Sequence, residues 1–330
     1  MNHSKGKNWV RRLLRPTPRR LATFAVLIGL WCAYQTYFTP HQRAVRHRLA
    51  DADAKSEKAI DARLKPLNDL FDRGRSGSGE FAEEALSWNG KWQFVKGLVS
   101  GSESHRAFLS RSFGQHVFTP DELRAAMEAV VRAYLDDLEA VESEMLVRLR
   151  ADLADTDRPT ELLPAHLRSD EEFRREYRKL AGDVVAELRL DVGVTVGREI
   201  GMLIASDVAA TAALQAAKAA AAEMGVGAGI LGTGAASTVA TLGVGMVVAV
   251  ILDYLLDQVF RMAGYDPAAK IEAMVDGSLD KMQAALMRDP GFFSTEKKGA
   301  LRQRLEELHE ARSKMRRETV ARLLKEGGVK

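Results

Sequence analysis

Every fourth position from Gly193 to Ala249 is small. The row runs through Gly193, Gly197 and Gly201, then alanine at 205, 209, 213, 217 and 221, then Gly225, Gly229, Thr233, Ser237, Thr241, Gly245 and Ala249. On a helix such a row forms one smooth ridge, along which a second backbone can approach closely. The pattern predicts a helix-packing ridge. From Met224 to Leu252 there are 29 residues without a charge, ample for one membrane span and marginal for two. An unbroken ridge favours one long helix crossing once over a hairpin turning near Thr233–Ser237. Asp253 and Asp257 continue the same stride at the edge of this segment. They read either as a polar contact inside an oligomer or, preferentially, as the mark of the membrane surface.

Elsewhere the apolar positions recur at helical spacing, and no long stretch alternates at period two. Leu49, Ile60, Leu64, Leu67 and Phe71 predict a helix over 41–72, with Arg73–Gly79 as a flexible break. Residues 80–117 are less regular and hold aromatics that suit a small satellite core better than a docking surface. Thr119-Pro120-Asp121-Glu122 and Ser169-Asp170-Glu171-Glu172 are capping boxes. The first opens a helix to about Ala154. The second opens one with no evident stop before the small-residue row. Beyond Pro267, helices are predicted over 267–287 and 294–325, separated by a turn at Asp289-Pro290-Gly291. The fold class is all-α: an N-terminal membrane anchor, a bundle of long helices, and a second Gly/Ala-rich membrane segment.

Charge adds an orientation. Residues 1–20 carry seven Lys or Arg and no acid, and Leu21–Phe38 follow without a charge. Trp31, Tyr34, Tyr37 and Phe38 gather at the far end, as interfacial rings do, and bulky residues occupy the place of a small-x-small cleavage site. The expected organisation is a basic cytoplasmic tail (1–20), an uncleaved anchor (21–38), an extracytoplasmic helical domain (41–223), the Gly/Ala-rich membrane segment (224–260) and a C-terminal helical pair (265–330). The reading is an integral protein of a bacterial inner membrane.

Candidate chemistry is sparse. Gly227–Gly232 matches GxGxxG, but an alanine-rich helical pattern precedes it where the dinucleotide fingerprint needs a strand. No phosphate loop or HExxH motif occurs, the seven histidines are scattered, and the single Cys32 lies in the anchor. Paired acids such as Asp136-Asp137 and Glu142/Glu144, and the many Arg and Lys of 294–325, read as solvated faces. We therefore expect no enzyme, cofactor, metal, nucleic-acid partner or small-molecule substrate. The expected partners are the lipid bilayer and a second transmembrane helix, from another copy or another protein. That describes a scaffold or interaction subunit associating through Gly225, Gly229, Thr233, Ser237, Thr241, Gly245 and Ala249. In composition, the Gly/Ala-rich run between charged helices resembles the hydrophobic hairpin of pore-forming colicins. The alternative is accordingly a membrane-perturbing protein that uses 224–260 as a hairpin.

Overall fold

A computed structural model describes residues 40–87, 103–154, 167–188, 198–225, 248–252, 254–255, 267–289 and 298–326. The protein is all-helical, with no strand among the described residues. The principal helices are α1 (Pro40–Ser76), α2 (Ser78–Ala85), α3 (Glu103–His116), α4 (Pro120–Ala154), α5 (Asp170–Leu188), α6 (Arg198–Met224), α7 (Pro267–Met287) and α8 (Ala300–Glu326).

The Thr119 capping box closes in both directions, and Ser169 caps the next helix through its hydroxyl. Thr119 N–H donates to Glu122 Oε2 at 2.7 Å while Glu122 N–H donates to Thr119 Oγ1 at 3.1 Å, and Glu172 N–H donates to Ser169 Oγ at 3.1 Å. Each cap satisfies backbone donors that the first turn leaves unpaired. The α4 helix then presents Leu123, Met127, Val130, Val131, Tyr134 and Leu138 to the interior.

The frame is the antiparallel pair α1–α4. A ladder of ion pairs descends one helix as it climbs the other: Arg48–Asp152 at 2.7 Å, Lys55–Glu144 at 3.1 Å, Arg63–Asp137 at 2.5 Å and Arg73–Glu122 at 3.1 Å. The α8 helix also runs against α1, through Arg316–Asp53 at 2.8 Å and Arg302–Asp61 at 2.5 Å. Two hydrophobic cores are stacked along this frame. The first gathers the second half of α1, α2, α3, the first half of α4, α6, residues 248–252 and Leu255, α7 and the start of α8. The second gathers the start of α1, the end of α4, α5 and the last turns of α8. The C-terminal pair α7–α8 thus packs in the same cores as helices α1–α6.

Several expectations change. The α5 and α6 helices are distinct elements with different neighbours: α5 packs on α8 and α4, while α6 packs on α4, α7 and α8. At the end of α6, Gly225 adopts φ +71°, a left-handed conformation that suits glycine and stops the helix. One continuous helix through the small-residue row is therefore excluded. Within α6 the row packs inside the protein's own bundle, since Ala205, Ala209, Ala213, Ala217 and Ala221 are all buried, as are Ala212, Ala216 and Ala220 beside them. Val248, Val250, Ile251, Leu252 and Leu255, expected within the bilayer, lie in the first core. No helix among the described residues is long and apolar enough to cross a membrane. Segments 1–39 and 226–247, including the proposed anchor, lie outside those residues.

The break at Arg73–Gly79 is a tight corner. The α1 helix continues to Ser76, Gly77 N–H donates to Arg73 O, and α2 begins at Ser78. A Cβ at Gly77 would fall 1.7 Å from His116 O, so the α3 terminus requires glycine there. Phe71, Phe81, Phe113 and Phe118 interlock edge-to-face at 5.6 Å around this corner, joining the first core. The last helix begins at Ala300, not 294. Its start is held by Gly299 N–H donating to Arg288 O at 2.9 Å, where a Cβ would fall 2.3 Å from Met287 N.

Candidate functional site

Between the two apolar cores lies a layer of buried charge. It is built from Asp53 and Ser56 on α1, Tyr134 and Glu142 on α4, Tyr177 on α5, and Arg312, Arg316 and Thr319 on α8. Arg316 is 0% exposed and Glu142 6%. The Arg316 guanidinium donates to Asp53 Oδ1 at 2.8 Å and to Ser56 Oγ at 3.3 Å, and its Nη1 lies 3.5 Å from Glu142 Oε1. Arg312 Nη1 donates to the other Glu142 oxygen at 3.3 Å. One guanidinium thus ties α8 to α1 and α4 together.

The expectation that these groups lie on solvated faces is corrected by the structure. A local signal exists in the chain: Glu142 falls between Leu138 and Met145 on the buried side of α4, and Arg312 and Arg316 flank Met315 on α8. What decides burial is the meeting of two charged faces from distant parts of the chain.

Burial pushes the Glu142 carboxyl above its ordinary value, against the pull of Arg312 and Arg316. Burial raises the Asp53 carboxyl less than hydrogen bonds from Arg317, Arg316 and Ser313 lower it, so it lies below its ordinary value. Burial raises the phenols of Tyr134 and Tyr177, whose hydroxyls have no hydrogen-bond partner among the described residues. Burial, helped by Arg316, lowers the His309 imidazole at the layer's edge. There a groove of about 610 Å³ opens, lined by Asp53, Glu57, His309, Ser313 and Arg317 among others.

Such a layer fixes register. Sliding α8 by one turn would leave two guanidiniums and a carboxylate buried without partners, which is far costlier than misplacing apolar side chains. It presents guanidiniums and a carboxyl, with no nucleophile–base pair among the contacts described above. A second cluster joins α2 to α3: His116 Nε2 meets Glu84 at 2.8 Å, its Nδ1 meets Glu80 at 3.1 Å, and Ser112 Oγ donates to Glu84 at 2.6 Å. The serine and the imidazole share one carboxylate instead of forming a relay, so this is a clasp. Among the described residues no group of three or more His, Cys, Asp or Glu side chains is placed to hold a metal ion.

Of the ridge residues, Gly225 ends α6 and is exposed, and Ala249 is half-buried beside the first core. Gly229, Thr233, Ser237, Thr241, Gly245, Asp253 and Asp257 lie outside the described residues, as does the GxGxxG match. No protein-family model, curated protein or solved structure matches this chain.

Proposed function

We propose that the protein is a non-enzymatic, membrane-anchored helical scaffold whose association surface lies in the Gly/Ala-rich segment. The observation carrying this reading is the interlock of α8 with α1 and α4 through Arg316. The α1 helix starts at Pro40, directly after the uncharged run ending at Phe38. A bundle closed at that point would hold helices α1–α8 on one side of any membrane the chain enters. Among the described residues Val147 is the single large hydrophobic left exposed. The described part of the bundle leaves no other large hydrophobic side chain exposed, which supports placing association in the uncharged segments.

The test is a pair of sided reporters, one fused after Lys330 and one inserted at Thr160. Both are expected on the extracytoplasmic side, and opposite sides would refute the arrangement. Replacing Gly229 or Gly245 by Leu is expected to lower crosslinking between copies while membrane retention persists, because a bulky side chain on the ridge blocks close backbone approach.

The alternative is a membrane-perturbing hairpin, which shares this one-sided arrangement. Met224 and Val248 sit in the same core, so the segment between them begins and ends at one body. This supports an even number of crossings, or none, over a single span. Release of dye from liposomes by the purified chain would select this reading; intact liposomes together with Gly229-dependent crosslinking would select the scaffold.

A further inference from the structure

We propose that the buried charged layer binds a small inorganic anion, a halide, between Tyr177 on α5, Thr319 on α8 and the Nε–H edges of Arg312 and Arg316. The site stands independently of the membrane reading.

Six side-chain polar atoms of this layer have no hydrogen-bond partner among the described residues: Tyr134 Oη, Tyr177 Oη, Thr319 Oγ1, Arg312 Nε, Arg316 Nε and Glu142 Oε1. Glu142 Oε1 has only its 3.5 Å ion-pair contact with Arg316 Nη1. All six residues are at most 6% exposed. In proteins roughly nine buried polar groups in ten are paired, so six orphans gathered in one layer point to a bound guest. An arginine Nε–H only donates, and each hydroxyl carries one hydrogen to donate, whereas Glu142 Oε1 accepts. Five donors against one acceptor select a guest that only accepts. A halide does so, while each water would bring two further hydrogens to a layer already rich in them.

Arg312, Arg316 and Thr319 stand at i, i+4 and i+7 on α8 and so share one face. That face meets α4 at Glu142, where Nη1 of each arginine approaches one carboxyl oxygen. It meets α5 at Tyr177, which packs in one core with Met315, Val320 and Leu323 of α8. Tyr177 lies within electrostatic reach of Glu142, Arg316 and Arg312 alike. The guanidiniums spend their Nη groups on Glu142, Asp53 and Ser56, which leaves the Nε–H edges for the guest. A halide is close to a water molecule in size, and a layer this closed admits it while excluding sulfate or gluconate.

Charge sets the conditions for binding. With Glu142 ionised, two guanidiniums face two carboxylates and the layer is already balanced. Burial pushes the Glu142 carboxyl up against the pull of Arg312 and Arg316 from α8, and Glu139 on α4 adds to the rise. Across Arg316, burial raises Asp53 on α1 less than Arg317, Arg316 and Ser313 lower it, so Asp53 keeps its charge. At the edge, burial and Arg316 lower His309 against Asp53, Glu57 and Glu310. Protonating Glu142 therefore leaves one positive charge uncompensated, and a halide restores neutrality. Proton and halide bind together, each raising the affinity for the other.

The experiment is urea unfolding of the full chain at constant ionic strength, with chloride replacing gluconate, over a pH series that starts at the ordinary carboxyl value of 4.5. At the acid end the folding constant should climb toward tenfold for each tenfold rise in chloride above its dissociation constant. That response should fade as pH rises through the native Glu142 value and the proton leaves. Glu142→Gln, neutral throughout, should keep the response across the whole series. Tyr177→Phe with Thr319→Val removes two donors and no charge, and should weaken chloride binding roughly a hundredfold, about tenfold for each hydrogen bond to an ion. Equal stability in chloride and gluconate at every pH overturns the site and leaves water as the bridge. A response that the double variant retains places the anion elsewhere and overturns it equally. Crystals of the unaltered chain soaked in bromide decide the matter without any variant: anomalous scattering beside Tyr177 and Thr319 is expected, and its absence from the layer overturns the proposal.

Discussion

Arg316 is a large, fully buried charged side chain, and its surroundings give it a counterion on each side. Removing one member of such a set leaves a buried charge uncompensated, a loss of about 3–5 kcal/mol, whereas replacing a matched pair by apolar groups is often close to neutral. Arg312→Leu or Glu142→Leu alone should therefore destabilise the chain by that amount in urea unfolding. The double variant should lose less than either single change, because Arg316 keeps Asp53. Additive losses would mean that the two side chains are not coupled. The raised Glu142 carboxyl gives the same site a pH signature. A native state that holds the proton more tightly than the unfolded chain is fully favoured below the ordinary carboxyl value of 4.5 and loses that contribution as pH climbs toward the native value. Glu142→Gln should flatten this part of the stability–pH curve, and an unchanged slope would assign it to other carboxyls.

The starts of α4 and α5 are delimited by local chemistry, which is why they are legible in the sequence, whereas the starts of α6 and α8 are not. The caps at Thr119 and Ser169 work within four residues, and the α4 limits follow directly from Pro120 and the apolar stride. The role of a glycine depends on what approaches it, which its neighbours in sequence do not specify. Gly77 faces the α3 carbonyl at His116, so Gly77→Ala must push two helices apart, at a cost of about 1–3 kcal/mol. Gly182, in the middle of α5, has open space where a Cβ would sit, with nothing within 4 Å, so Gly182→Ala should raise stability by about 0.5–1 kcal/mol. Thermal melts of the two variants should move in opposite directions. The same corner carries a pH dependence of its own. Burial lowers the His116 imidazole, but hydrogen bonds to Glu84 and Glu80 outweigh it and raise the net value above 6.5. The clasp's contribution is thus complete below 6.5 and fades as pH rises through the native value. His116→Ala should abolish that alkaline loss, and a wild-type curve without one would dissociate the clasp from stability.

At the scale of the molecule, the small-residue row was legible as a packing surface but its partner was not. Alanine spacing specifies close approach without naming the helix that approaches, and in α6 the partners are α4, α7 and α8 of the same chain. The charged layer has no signature in the sequence for a related reason. Asp53, Glu142 and Arg316 come from three separated regions, and each alone looks like a residue on a solvated helix face.

The same connectivity decides whether residues 265–330 can be removed as a unit. The start of α8 places Leu301 and Leu305 in the first core, and its end places Met315, Val320 and Leu323 in the second. It also supplies both guanidiniums to the layer between them. A chain ending at Asp289 would expose both cores along one side and bury Glu142 without its arginines. Loss of the cooperative unfolding transition, with rapid proteolysis inside α4 and α5, is the expected outcome. Supplying residues 298–326 as a separate peptide should restore protection, because the interface it re-forms is specified by two buried charges as well as by apolar area. If the shortened chain instead unfolds cooperatively at an unchanged midpoint, α8 is an appendage, and the one-sided topology inferred from its interlock falls with it.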